Sequence, residues 1–266
     1  MTGPIALAID DLVVSFGGVR AIDGVSIDVE AGSITGLIGP NGSGKTTLLD
    51  AVSRLVSMTA GSIRLDGVDI AEYAPEELTG SGVVRSFQDC RLYPTLTVED
   101  TLLLTEDARQ PVGVAASTLR LPPARRAERS KLAAVDRAIA AFGLDRFRSH
   151  RIAELSTGTR RVVDLATIVL AHPRLLLLDE PTAGIAQRDA EAFIPLLQRL
   201  HEVTGSTILL VEHDVPMTFE LCSTVVVMAT GRVIASGSPD EVGRNPAAIA
   251  AYLGASDAAL RVTGST

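Results

Sequence analysis

Eight consecutive residues, Gly39-Pro40-Asn41-Gly42-Ser43-Gly44-Lys45-Thr46, satisfy the spacing GxxxxGK[ST], between a short apolar run and a run of helical periodicity. That combination makes an anion site. Glycines let the main chain curl until several N–H groups face inward, and the helix start adds partial positive charge. Lys45 then reaches the outer oxygens of a phosphate chain, the Thr46 hydroxyl can ligate Mg2+, and Thr47 joins the same cradle. A Gly-rich turn with a chance lysine is the alternative, and the flanking strand and helix disfavour it.

A second element is Leu175-Leu176-Leu177-Leu178-Asp179-Glu180, an apolar strand delivering two carboxylates at its C-terminal end. Parallel α/β sheets place their ligand crevice there. Asp179 can serve the Mg2+ shell, while Glu180, one residue further on, can polarise an attacking water as a general base. Acidic pairs after strands are also common as solvent-facing ends, so this element takes its meaning from the phosphate loop. A third element, Glu154 to Arg161, precedes a helical run from Val162 to Ala171. Ser156 and Gly158 sit where a cap would, and exposed amides at that end attract anions, although most such caps bind nothing.

These residues need a scaffold, and the chain supplies one. Residues 5–14 and 22–30 alternate apolar and polar positions around a Phe16-Gly17-Gly18 turn, predicting an N-terminal antiparallel β layer. Ile34 to Gly39 reads as a buried strand and Lys45 to Val56 as the helix after the loop. Residues 61–70 predict a hairpin around Asp66-Gly67, and Val83 to Phe87 a strand. From about residue 97 to 171 the pattern is mostly helical, broken by a loop from Gln110 to Arg126 where Pro111, Pro122 and Pro123 forbid a continuous helix. Strands Leu175 to Leu178, Ser206 to Glu212 and Thr224 to Met228 then alternate with helices Arg188 to Glu202 and Val215 to Leu221, the βαβ order of a parallel sheet. The predicted class is α/β: a phosphate-loop core with a mixed, largely parallel sheet, an antiparallel β layer and a helical subdomain. Residues 5–254 read as one domain, and 255–266 as a mobile tail.

Composition narrows the function. With 46% hydrophobic but only 3% aromatic residues and no Trp, the core must be built from Ala, Val, Leu and Ile. No apolar run approaches the roughly 20 residues of a membrane span, and the N-terminus lacks the basic start of a secretion signal. The expectation is a cytoplasmic protein unless a partner holds it elsewhere. Cys90 and Cys222 stand alone and suggest neither a disulfide framework nor a zinc site. A net charge of −8 argues against nucleic acid as a partner. Between Arg120 and Arg151, however, nine basic residues face three acidic ones, either a solvated helical face or a surface for an acidic partner or lipid headgroups.

Taken together, the phosphate loop, the LSTGT segment, the LLLLDEPTAG strand and turn, Gln88 in RSFQDCRLYPTLTVEDTL and His213 in LLVEHDVPM resemble the ATP-binding subunits of ABC transporters, in the correct order over residues 5–254. The SFGG start, the insertion after TVEDTL, the VEHDV segment and the ending NPAAIAAYLG are similar to importer ATPases for branched-chain amino acids and related polar solutes. The resemblance implies ATP and Mg2+ as ligands, hydrolysis of ATP, and a P-loop NTPase core with a helical ABC subdomain at 97–171. It implies that Phe16 stacks on adenine, that Gln88 contacts Mg2+ or the attacking water, and that His213 hydrogen-bonds the γ-phosphate. It also implies a second ATPase subunit, identical or sister, over whose nucleotide Ser156 and Gly158 close in trans. Transmembrane permease subunits, an indirect solute-binding protein and a peripheral place on the cytoplasmic membrane face complete that expectation.

Three departures stand out. The signature reads Thr157, Gly158, Thr159 where the family has a further glycine and a glutamine, and Ala186 replaces the aspartate after the Walker B turn. Contacts of the signature loop and communication across the dimer are thereby in question, while Lys45, Asp179, Glu180, Gln88 and His213 are all present. Two alternatives stay open. A non-transport ABC module in translation or repair is disfavoured by the single phosphate loop and the lack of heptads, and a regulatory subunit would share unequal sites with another ATPase.

Overall fold

The computed structural model describes residues 3–86, 92–109, 122–183 and 193–253. They fall into two compact units, the first drawing on 3–86, 174–183 and 205–253, the second on 92–109, 122–173 and 193–204.

In the first unit, β1 (Ile5–Phe16) and β2 (Val19–Glu30) form an antiparallel hairpin that runs up to Gly17 and Gly18, two residues beyond the alternation in β1 and three in β2. Their alternating burial puts Leu7, Ile9, Leu12, Val14, Ile22, Val25 and Val29 on one face. β4 (Ala60–Leu65) and β5 (Val68–Asp69) complete a four-stranded sheet in the order β2-β1-β4-β5, with the expected hairpin at Asp66-Gly67. The second sheet is parallel at its centre. β3 (Ile34–Ile38), β7 (Leu175–Asp179) and β8 (Thr207–Val211) are buried at every position, as strands covered on both faces must be. With β6 (Val83–Arg85), β9 (Thr224–Ala229) and β10 (Arg232–Gly237) they order as β10-β9-β3-β8-β7-β6, β10 being antiparallel. One aliphatic core joins both sheets to the helix α1 (Lys45–Val52) through Leu37, Leu48, Leu49, Leu177, Val211 and Met228.

α1 stops four residues earlier than its apolar spacing predicts. Arg54 adopts a left-handed φ of 55°, and the Leu55 amide closes back on Asp50 O at 2.8 Å, the hydrogen bond of a helix-terminating turn. The short α2 (Pro75–Gly80) follows. After β8, α7 (Val215–Leu221) begins with Asp214 Oδ1 accepting from the Met217 amide at 2.9 Å. α8 (Pro239–Gly243), with a Ser238–Glu241 capping box, and α9 (Pro246–Leu253) close the described chain. β10, α2, α8 and α9 were not among the elements expected from periodicity.

The second unit is helical and comprises α3 (Val98–Arg109), α4 (Pro122–Ala141), α5 (Thr157–Leu170) and α6 (Ile194–Thr204). The first three fall in the predicted helical block at 97–171, whereas α6 comes from the helix that was expected among the strands of the parallel sheet. Buried Leu102, Val135, Ile139, Val163, Ala166 and Leu197 line their inward faces. The expected loop to Arg126 is corrected here: the helix already begins at Pro122, because proline lacks only an amide that the first turn leaves unpaired, and its fixed φ suits that position. The rest of that loop, residues 110–121, lies outside the described residues, as do 188–192 of the predicted helix, Cys90 and the tail. No helix of the described residues is long and apolar enough to cross a membrane.

Candidate active site

Gly39 follows β3 directly, with a φ of 154°. A Cβ there would lie 2.1 Å from Met228 O and 2.9 Å from Ser43 Oγ, so the curl admits no side chain. The Ser43 amide donates to Pro40 O at 3.2 Å, and Ser43 O accepts from the Gly231 amide at 3.0 Å, fixing the loop between strands. Asn41 and Gly42 are exposed at its tip, Pro40 and Gly44 are half-buried, and Ser43 is buried. Among the described residues Ser43 Oγ has no hydrogen-bond partner. Lys45, Thr46 and Thr47 occupy the first turn of α1, whose amides have no acceptor within the helix.

The buried Lys45 ammonium donates to Gly39 O at 2.8 Å and to Pro40 O at 3.1 Å. Burial pushes its pKa below the ordinary lysine value, against the opposing pull of the Glu180 and Asp179 charges. Those carboxylates arrive from the end of β7. Asp179 Oδ2 accepts from Arg85 Nη2 at 3.0 Å, and Arg85 Nη1 also donates to Asp50 Oδ1 at 2.5 Å. Burial raises the Asp179 pKa, with the Arg85 hydrogen bond acting in the opposite direction. Glu180 takes a left-handed φ of 48°, unusual for a residue with a side chain, and its Oε1 lies 2.5 Å from Nε2 of His213. With Glu180 ionised, His213 must donate from Nε2. The sequence-predicted pair therefore meets across the ends of two adjacent strands.

The donor set fits a magnesium nucleotide. Asp179 Oδ1 is buried without a hydrogen-bond partner among the described residues, the vacancy a hard cation can satisfy. Among those residues no group of three or more His, Cys, Asp or Glu could hold a metal by itself. A metal sharing its shell with phosphates and water needs no such cage. Phe16 is 53% exposed at the end of β1, so it is not a core residue and its ring is open to a ligand. Gln88 and Ala186 lie outside the described residues.

In the second unit, Ser156 is the N-cap of α5, its Oγ accepting from the Thr159 amide at 3.2 Å. The Thr159 hydroxyl is 2.9 Å from the same Oγ, so the unusual residue of the signature engages the serine directly. Gly158 is half-buried with open space around its Cα. Sequence reasoning missed four residues that hold the first unit's site: Arg85, Asp50, Glu212 and Thr182. Glu212 had a visible signal, a carboxylate ending an otherwise apolar strand run.

A glycine-curled loop after a buried parallel strand, a buried lysine and an acidic strand end together define a P-loop nucleotide-binding protein. The comparisons carry this further. Residues 22–183 match the family model described as ABC transporter, and residues 232–258 that described as branched-chain amino acid ATP-binding cassette transporter. The chain is 33% identical to the high-affinity branched-chain amino acid transport ATP-binding protein BraF of Pseudomonas aeruginosa, over 96% of this chain and 99% of that one. It is 32% identical to LivG of Salmonella typhimurium, a protein of the same description, over 93% and 97% of the two chains. The structure of cbiO1 from Clostridium perfringens, part of the ABC transporter complex cbiONQ, superposes with a TM-score of 0.78 at 27% identity, covering 90% of each chain. The chain belongs to the ABC transporter family, as an ATP-binding subunit.

Proposed function

We propose that this chain hydrolyses ATP to drive an importer of branched-chain amino acids or similar polar solutes. Its catalytic cycle runs on separate permease subunits at the cytoplasmic membrane face, with a second ATPase subunit covering the nucleotide. The observation that carries the reading is the Glu180–His213 contact at 2.5 Å, on a site that also draws Lys45 into the field of Asp179 and Glu180. The names and coverage of BraF and LivG support the cargo class.

The residues divide the work. The amides of Gly42 to Thr47 and the Lys45 ammonium bind the phosphate chain, and Phe16 offers its exposed face to the base. Thr46, Asp179 and Gln88 would hold Mg2+, which would neutralise phosphate charge. Glu180 accepts the proton of the attacking water, and His213, hydrogen-bonded to Glu180, holds that carboxylate and would hydrogen-bond the terminal phosphate. Ser156 and Gly158 serve the partner's nucleotide.

Titration calorimetry of the full chain with MgATP is the first test. Binding is expected for the native protein and lost in Lys45→Ala; no heat from the folded native protein would overturn the reading. Co-purification of two hydrophobic permease chains is the expected outcome for a transporter, and ribosomes or DNA in their place would favour a non-transport module.

A further inference from the structure

We propose that Glu212 is a positioning residue for hydrolysis, holding Glu180 and His213 in register through a carboxylate that bridges the two segments carrying them. The inference deepens the proposed function and rests on the assignment of Glu180 and His213 there. Glu212 is 3% exposed, directly after the end of β8. Its Oε1 accepts from the Thr182 amide at 3.1 Å and from the Thr182 hydroxyl at 2.7 Å, while Oε2 accepts from the His213 amide at 3.1 Å. Thr182 lies two residues beyond Glu180, so these bonds close a ring: Glu180, Thr182, Glu212, His213 and back to Glu180 through the side-chain contact.

The ring has work to do. Glu180 holds a left-handed φ of 48°, a conformation that persists only where its surroundings over-determine it. Main-chain bonds act on that turn, among them Glu180 N to Val211 O at 2.9 Å and Ala183 N to Glu180 O at 2.9 Å. Neither reaches His213. The Glu212 carboxylate ties that turn to the His213 main chain, and three donors occupy its two oxygens. Burial raises its pKa, and these hydrogen bonds act in the opposite direction. Both oxygens receive backbone amides, which can only donate. A glutamine offers one acceptor oxygen and one NH2, so it keeps the shape and must lose an amide bond at one end. The expected consequence falls on turnover: the reacting groups lose alignment, whereas the phosphate loop that binds nucleotide keeps its own hydrogen bonds.

The test compares steady-state ATPase kinetics, MgATP affinity by calorimetry and thermal unfolding of the full chain for the native protein, Glu212→Gln, Thr182→Val and Glu180→Gln. The expected result is a fall in kcat of about 10- to 100-fold in Glu212→Gln, with KM and nucleotide affinity within about twofold of native. Thr182→Val, which removes one donor and retains shape, is expected to show a smaller loss of the same kind, and it decides the matter if Glu212→Gln does not fold. Native kcat in the folded variants, or a rise in KM matching any fall in kcat, would overturn the role. If Glu180→Gln abolishes turnover while Glu212→Gln retains it, only the positioning role fails. Full turnover in Glu180→Gln removes the assignment of Glu180 and the positioning role with it.

Discussion

Arg85 donates to Asp179 at 3.0 Å from a side chain only 9% exposed, tying the end of β6 to the acidic end of β7. The same guanidinium reaches Asp50 on α1, so a single cation links strand, strand and phosphate-loop helix. Removing it leaves the buried Asp179 carboxylate without its cation. Arg85→Met is expected to destabilise the protein by about 3 kcal/mol, read as a lowered urea midpoint, because an uncompensated buried charge costs far more than an exposed pair. An unchanged midpoint would show the pair to be dispensable.

Glu180→Gln is expected to bind MgATP with native affinity and to lose turnover by about 100-fold or more, since a general base contributes on that scale. The same variant should accumulate as an ATP-bound dimer in size-exclusion chromatography. Unchanged turnover would remove Glu180 from the chemistry.

Two glycines of one loop should respond differently. Gly39→Ala puts a Cβ 2.1 Å from Met228 O, a clash with main chain that cannot yield, and nucleotide binding should vanish. Gly42 has a φ of 76° but open space around it. Gly42→Ala should cost only about 1–2 kcal/mol for the left-handed conformation and retain binding. Calorimetry on both variants separates the cases.

Cys222 is buried behind β3, and burial pushes its thiol up to about 12. The raised value keeps it protonated through the physiological range, with about one thiol in ten thousand ionised at pH 8. In a Cys90→Ser background the folded protein should resist iodoacetamide at pH 8 and begin to react only as pH climbs toward 12. Urea should expose the thiol to rapid labelling, and rapid labelling of folded protein would contradict its burial.

The phosphate loop and the two acids at the end of β7 were legible because their chemistry forces residue type and spacing over a few positions, whereas His213 entered only through the family resemblance. The fully apolar runs of β3, β7 and β8 likewise declared a sheet covered on both faces. Arg85 was not legible: it sits 35 residues from Asp50 and 94 from Asp179, and only the folded sheet brings them together. The pairing of Thr182 with Glu212 was hidden for the same reason, the two being 30 residues apart, although Glu212 alone left a signal as a carboxylate ending an apolar strand. β10 alternates weakly, and Pro122 reads as a breaker although a helix begins on it. Local rules found what local chemistry dictates, while the supporting contacts depend on strand order.

That strand order has a consequence for synthesis. β3 is hydrogen-bonded on one side by β8 and on the other by β9, pairing Leu37 with both Val211 and Val226. A nascent chain emerging from the ribosome therefore carries the five apolar-rich residues of β3 with both edges bare until most of the polypeptide has been made. The nucleotide loop that follows it cannot acquire its final curl earlier, because Met228 and Gly231 form part of its wall. A chain that stops before Met228 and Gly231 thus lacks the main-chain groups against which Gly39 and Ser43 are set.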